Sequence, residues 1–214
     1  MRSKFLPVAK TLYKQSIASL PISSTESKAP PAGVMWRSYN SENYNEGVIK
    51  ELFQKSHKSF AVMGGHISGG LEILDVDLKN SRDPDNLWRD LLTNIEEALP
   101  DFAKNATIVQ TVSGGYHIYY SCFQIEGSKV LANEVNDING REKSVDIIET
   151  RGDGGYALTY PSPGYKLVQG SLDKFAYTLT PEERDILHSI CRMFHEEKAE
   201  KKKKNLTVFL SLVA

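Results

Sequence analysis

The sequence predicts an α/β or α+β domain built around a largely antiparallel, mixed sheet flanked by helices, with a further helix near the C-terminal end. Three observations lead there. Short segments of strand character are interspersed with helical ones along most of the chain. Several of the strands meet at tight glycine-bearing turns, as hairpins do. Two helix starts carry capping residues followed by proline.

Taken in order, the spacing of apolar residues predicts a helix over 5–19. The polar stretch 22–34, which contains Lys28-Ala29-Pro30-Pro31, reads as a loop. A short amphipathic helix is expected over 45–55, then a strand over Ser59–Met63 closed by Gly64-Gly65. Gly69-Gly70 turns the chain into an apolar strand over 71–78. Asp83 as cap and Pro84 in the first turn begin a helix that should run to about Leu99 and stop at Pro100. Strands over 107–112 and 116–122 flank Ser113-Gly114-Gly115, a hairpin turn. Residues 126–143 are polar with little pattern and read as a loop with at most a short helix. A strand over 144–149, the turn Gly152-Asp153-Gly154-Gly155 and a strand over 156–160 make the next hairpin, ended by Pro161-Ser162-Pro163-Gly164. Thr180-Pro181-Glu182-Glu183 has capping-box chemistry and should start a helix reaching about Glu200. The lysine run 201–204 reads as the solvated end of that helix, at its negative pole. The expected organisation is a main domain over 1–170 and a helical extension with tail over 171–214.

With 40% hydrophobic and 25% charged residues, the chain has the apolar content for a packed core. Its net charge of -1 gives no overall attraction to nucleic acid or membrane, so any such surface must be a local patch. Cys122 and Cys191 lack metal-ligand spacing and are expected as buried or free thiols of a reducing compartment. No apolar run approaches the roughly 18 residues of a membrane span. The apolar stretch after Met1-Arg2-Ser3-Lys4 is too short for a signal peptide, so a cytoplasmic location without a membrane partner is expected.

Polar residues of unusual kind stand in three places. In Leu71-Glu72-Ile73-Leu74-Asp75-Val76-Asp77 two carboxylates interrupt an apolar strand, and residues two apart share a face. Paired carboxylates are costly to bury unpartnered, and hard oxygen pairs suit a divalent cation such as Mg²⁺ or Mn²⁺. In Ser113-Gly114-Gly115-Tyr116-His117 the serine and histidine are four apart, and the glycines would let backbone amides approach a phosphate. In Asp146-Ile147-Ile148-Glu149-Thr150-Arg151-Gly152 strand parity sets Asp146 and Glu149 on opposite faces unless a bulge intervenes, so only one should join the Asp75 and Asp77 face.

Together, in this order, the three segments resemble the three motifs of the primase–polymerase branch of the archaeo-eukaryotic primase superfamily, found in replication proteins of plasmids, phages and mobile elements. Lys28-Ala29-Pro30, the Gly64-Gly65 to Gly69-Gly70 approach and the Ala157 to Ser162 segment are similar as well, so the likeness covers roughly 5–170. The resemblance implies a metal-dependent DNA primase and/or polymerase acting on a DNA template and primer with dNTPs or NTPs. It implies that Asp75, Asp77 and Glu149 hold Mg²⁺ or Mn²⁺, with Asp146 the rival for the third place. The family more often has aspartate where Glu149 stands. Ser113, Gly114, Gly115 and His117 would bind the incoming triphosphate, Arg151 would contact phosphate or steady a carboxylate, and Lys28 would contact substrate or template. A helicase domain often follows in the family. The competing readings are a non-catalytic module binding single-stranded DNA or nucleotides, and a metal-dependent nuclease or phosphohydrolase.

Overall fold

The computed structural model describes residues 3–137 and 139–196. Helix α1 spans Leu6–Tyr13. It stops short of the expected end at residue 19, because Ser16 takes a left-handed backbone (φ 62°) that a helix cannot pass through. The apolar residues beyond it form strand β1, Ser19–Ile22, buried at every position. Helix α2, Glu46–Leu52, is capped by the Asn45 side chain, which accepts from the amides of Gly47 and Val48. Strand β2, Ser59–Met63, pairs antiparallel with β1 and with Tyr156–Leu158, numbered β8 from its place in the chain, in a three-stranded sheet.

The larger, seven-stranded sheet contains β3 (Leu71–Val76), β4 (Thr107–Gln110), β5 (Tyr116–Ser121), β6 (Lys129–Asp137), β7 (Glu142–Arg151), β9 (Lys166–Gln169) and β10 (Tyr177–Thr178). Its order is β6-β7-β3-β5-β4-β9, all antiparallel, and β10 adds parallel to the end of β5. The Ser113-Gly114-Gly115 hairpin forms as expected, with the Thr111 amide donating to the Gly115 carbonyl.

Four further expectations are corrected. The stretch 126–143, read as a loop, holds β6 and the start of β7. The chain turns between them around Asn139-Gly140, both with positive φ (58° and 76°), a backbone that asparagine and glycine adopt most readily. Pro100, read as a stop, instead opens helix α4, Pro100–Asn105, directly after α3, Pro84–Ala98, because proline suits a first helical turn. Strands β9 and β10 lie where none was expected. Helix α5, Pro181–Arg192, has the capping box at Thr180 and Glu183 but ends before residue 200, since the chain turns to bond β6. There the Glu196 amide donates to the Asn133 carbonyl, and the Asn133 amide donates to His195 Nδ1. The expected continuation over 197–200, the lysine run and the tail lie outside the described residues.

The large sheet separates two cores. One face, with Ile73, Val109 and Tyr119, packs on the small sheet, α1 and α2. The other, with Leu74, Val76, Ile118 and Tyr120, packs on α3, α4 and α5. On that second side Glu72, fully buried, accepts both guanidinium contacts of Arg184 (2.6 and 2.9 Å) and the Tyr120 hydroxyl (2.8 Å), with His188 3.5 Å away. This network ties α5 to β3. Cys122 and Cys191 are buried free thiols. Among the described residues no helix is long and apolar enough to cross a membrane.

Candidate nucleotidyl-transfer site

Asp75 is the centre of the site because of strand register. On one side it stands opposite His117 of β5, on the other opposite Glu149 of β7. Directly opposed residues of antiparallel strands project from the same face. An acid, an imidazole and a second acid therefore form one row across three strands. Asp75 and His117 of this row line an open cleft of about 540 Å³ together with Lys28, Asp77, Ser113 and Arg151, and Glu149 reaches its edge through Arg151.

Within the row His117 Nε2 is 3.3 Å from Asp75 Oδ1, and Arg151 reaches both acids, at 3.6 Å from Asp75 and in closer contact with Glu149. Burial pushes the Asp75 carboxyl up, but His117, Arg151 and Lys28 together outweigh it and hold the group below its ordinary value. Glu149 goes the other way. Burial raises it, Arg151 offsets part of that, and the charges of Asp75, Asp146 and Asp77 raise it further. Asp77 lies just past β3, its amide donating to the Ile147 carbonyl at 2.9 Å, and its carboxylate meets Lys79 (3.1 Å) and Asn80 (3.3 Å).

The parity expectation for Asp146 fails for a structural reason. Ile148 pairs with Ala132, yet Asp146 pairs with Asn133, so Ile147 is an extra residue in β7. Such a bulge resets the alternation and returns Asp146 to the Glu149 side of the sheet. The two acids still differ. Glu149 is in register with Asp75, whereas Asp146 is exposed and accepts a hydrogen bond from the Asn133 side-chain amide.

The two glycines of the hairpin have different grounds. Gly115 is required by packing, since a Cβ there would sit 2.3 Å from the Val76 carbonyl oxygen. Gly114 has φ 89° and open space around it, and its amide donates to Thr111. The Gly114 amide is thus already committed within the turn, and the group that the turn brings to the cleft is the exposed Ser113. Ser113 Oγ is 3.1 Å from Thr111 Oγ1 at the cleft wall. Lys28 comes to the cleft on the 23–34 loop, held by the Tyr156 hydroxyl, which donates to the Lys28 carbonyl (2.9 Å).

Several residues join the site that the sequence reading did not single out. The fully buried Tyr119 donates its hydroxyl proton to Thr159 (2.8 Å) and stands 3.2 Å from His117 Nδ1. That contact fixes the orientation of the imidazole ring beside Asp75. Tyr165 lines the cleft, its phenol pushed up to about 12 by burial and then by Asp75. Lys79 and Tyr156 also line it. Tyr119 had a signal, because it follows His117 by two residues on the same strand face. Tyr165 had none beyond its place after Pro163-Gly164.

Among the described residues, no three acid, imidazole or thiol groups stand together as a ready metal cage. The donor chemistry nevertheless suits a hard divalent cation. Asp75, Asp77 and Glu149 carry hard oxygen donors, and the carboxyl of Glu149 is held up by burial and by the negative charge of its neighbours. A fold that sets carboxylates and an imidazole in a row above a cleft rimmed with cations defines a protein suited to handling phosphate esters. The family model described as bifunctional DNA primase/polymerase, N-terminal, matches residues 9–183, and the chain belongs to that family. No curated protein matches the chain. Family membership supports a role as a DNA primase/polymerase-type nucleotidyltransferase, with DNA and nucleotides as substrates.

Proposed function

We propose that this protein is a metal-dependent nucleotidyltransferase that synthesises DNA or primers on a DNA template, in the replication of a plasmid, phage or other mobile element. The observation that carries this reading is the register row His117-Asp75-Glu149, of which His117 and Asp75 line a cleft shared with Lys28 and Arg151. Asp75, Asp77 and Glu149 are the residues that would hold Mg²⁺ or Mn²⁺. When bound there, such ions lower the pKa of an attacking 3′ hydroxyl and neutralise a leaving pyrophosphate. The chain's own residues do the rest. Ser113 and the outward Gly114 turn contact the triphosphate from the hairpin side. His117, held at Nδ1 by the Tyr119 hydroxyl, stands at the cleft as a donor for phosphate oxygens. Lys28 and Arg151 bring positive charge to the cleft, and Arg151 bridges the Asp75 and Glu149 carboxylates and offsets their mutual repulsion. The buried side of the row, backed by Tyr119 and Thr159, keeps the imidazole from rotating.

The test is extension of a labelled primer on a template with dNTPs or NTPs, with Mg²⁺, Mn²⁺ or chelator, comparing wild type with Asp75→Ala/Asp77→Ala. Incorporation that needs the ion and disappears in the double variant is expected. Nucleotide or DNA binding with no incorporation under any ion would replace this reading with a non-catalytic binding module.

A further inference from the structure

Two glycine-rich segments stand out in the sequence, and the catalytic row uses neither. They are Gly64-Gly65 before β3 and Gly152-Asp153-Gly154-Gly155 after β7. In the structure they meet. Asp153 accepts from the His66 amide (2.9 Å) and stands 3.3 Å from the His66 imidazole, and Gly65 must lack a side chain because a Cβ would collide with Asp153. This contact forms the floor of a second cavity of about 390 Å³, next to the 540 Å³ catalytic cleft.

The wall opposite that floor is aromatic and basic. Trp36 and Tyr39 lie on it, and the exposed Arg37 places its guanidinium 4.4 Å from the centre of the Trp36 ring. An indole face covered by a planar cation accepts flat, polarisable groups. The exposed guanidinium can move aside to a phosphate when another planar group takes its place. Tyr156 connects the two cavities. Its ring meets Trp36 edge-on at 4.9 Å, while the same residue lines the catalytic cleft and holds the Lys28 loop. The Tyr156 ring thus places the Trp36 side of the second cavity one aromatic contact from the catalytic cleft.

We propose that this second cavity binds an unpaired base of single-stranded nucleic acid, stacked on Trp36 with its backbone held by Arg37. The occupant being the strand that the catalytic cleft copies rests on the function proposed above. The combination is the one that sequence-tolerant single-strand sites use, a π surface for the base and a cation for the phosphate.

The experiment measures binding of a labelled oligothymidylate by fluorescence anisotropy, with no nucleotide and no divalent ion, to wild type, Trp36→Ala, Trp36→Phe and Arg37→Ala. Trp36→Ala should weaken affinity about tenfold, the scale of one lost base stack. Trp36→Phe should keep most of the affinity, and Arg37→Ala should weaken it and flatten its salt dependence. In a Trp88→Phe background the remaining Trp36 emission should be quenched as the oligonucleotide is added. Unchanged affinity in Arg37→Ala together with Trp36→Ala overturns the proposal. If Trp36→Ala fails to fold, unchanged affinity in Arg37→Ala with no quenching of Trp36 overturns it too. So does a raised dNTP KM in primer extension with DNA affinity intact, which would assign the cavity to the incoming base. Because binding is read without synthesis, a protein that binds oligothymidylate through Trp36 yet incorporates nothing overturns the polymerase reading alone.

Discussion

Glu72 and Asp75 stand three residues apart on β3 and face opposite sides of one sheet, and their surroundings differ in kind. Glu72 is fully buried, with a guanidinium, a phenol and an imidazole around it. Burial pushes its carboxyl up, but His188, Arg184 and Tyr120 more than reverse this and bring it to about 2. Asp75 has an imidazole and a distant arginine, opens to a cleft, and faces another acid across the strand pair. One acid is closed and satisfied; the other belongs to a group whose charges still press on each other. An acid in an apolar strand is thus no sign of chemistry by itself, and its partners decide which kind it is.

The comparison can be broken in four ways. The largest effect is expected for Glu72→Ala, which leaves Arg184 buried without its counter-charge. It should cost about 3–5 kcal/mol in urea unfolding while activity per folded molecule persists. Little change in stability would remove the distinction between the two acids. Asp75→Asn should do the reverse, lowering primer extension more than about a hundredfold with unfolding free energy within about 1 kcal/mol of wild type. A comparable loss of stability would mark Asp75 as structural too.

Acid unfolding followed by circular dichroism separates Glu72 by sign from Glu149, the acid opposite Asp75. Glu72 is depressed from 4.5 to about 2, so its stabilisation is present above pH 4.5 and is lost as pH falls toward 2, roughly 3 kcal/mol in all. Glu149 is raised, so its contribution is present below the ordinary carboxylate value and is lost as pH rises through the higher folded one. Glu72→Gln should flatten the low-pH limb, and a limb unchanged in that variant would refute the assignment. The smallest contrast lies inside the site. Glu149→Ala should reduce activity more than Asp146→Ala, since only Glu149 is in register with Asp75; the reverse order in primer extension would make Asp146 the third acid.

Much of the arrangement was readable before the structure. Asp75 and Asp77 stood out because the strand around them is apolar, and Ser113-Gly114-Gly115 marked a hairpin because glycine carries the left-handed turn there. What escaped was set by distant contacts. β6 is polar and only partly buried, so Lys129–Asp137 shows no clean alternation, although Asn139-Gly140 carries a hairpin signature. The bulge at Ile147 depends on how β7 meets β6, and no local pattern announces it. Gly115 was read as room for a ligand, whereas its neighbour is the β3 backbone. The Glu72 network needed α5, more than a hundred residues away, to be seen at all.

The bulge has a mechanical side. β3 pairs with β7 only from Ile148 to Arg151, and the Asp77 amide makes one more bond, to Ile147. Beyond that point Glu142–Asp146 is paired with β6 alone, and β6 is anchored in turn through Glu134 to Ser81 and Arg82 and through Asn133 to His195 and Glu196. Asn80 clips the hairpin, donating to the Asp146 carbonyl while its own carbonyl accepts from Asn136, and the same side chain touches the Asp77 carboxylate. A load that tilts the tip around Asn139-Gly140 therefore reaches the Asp77 carboxylate of the cleft through Asn80.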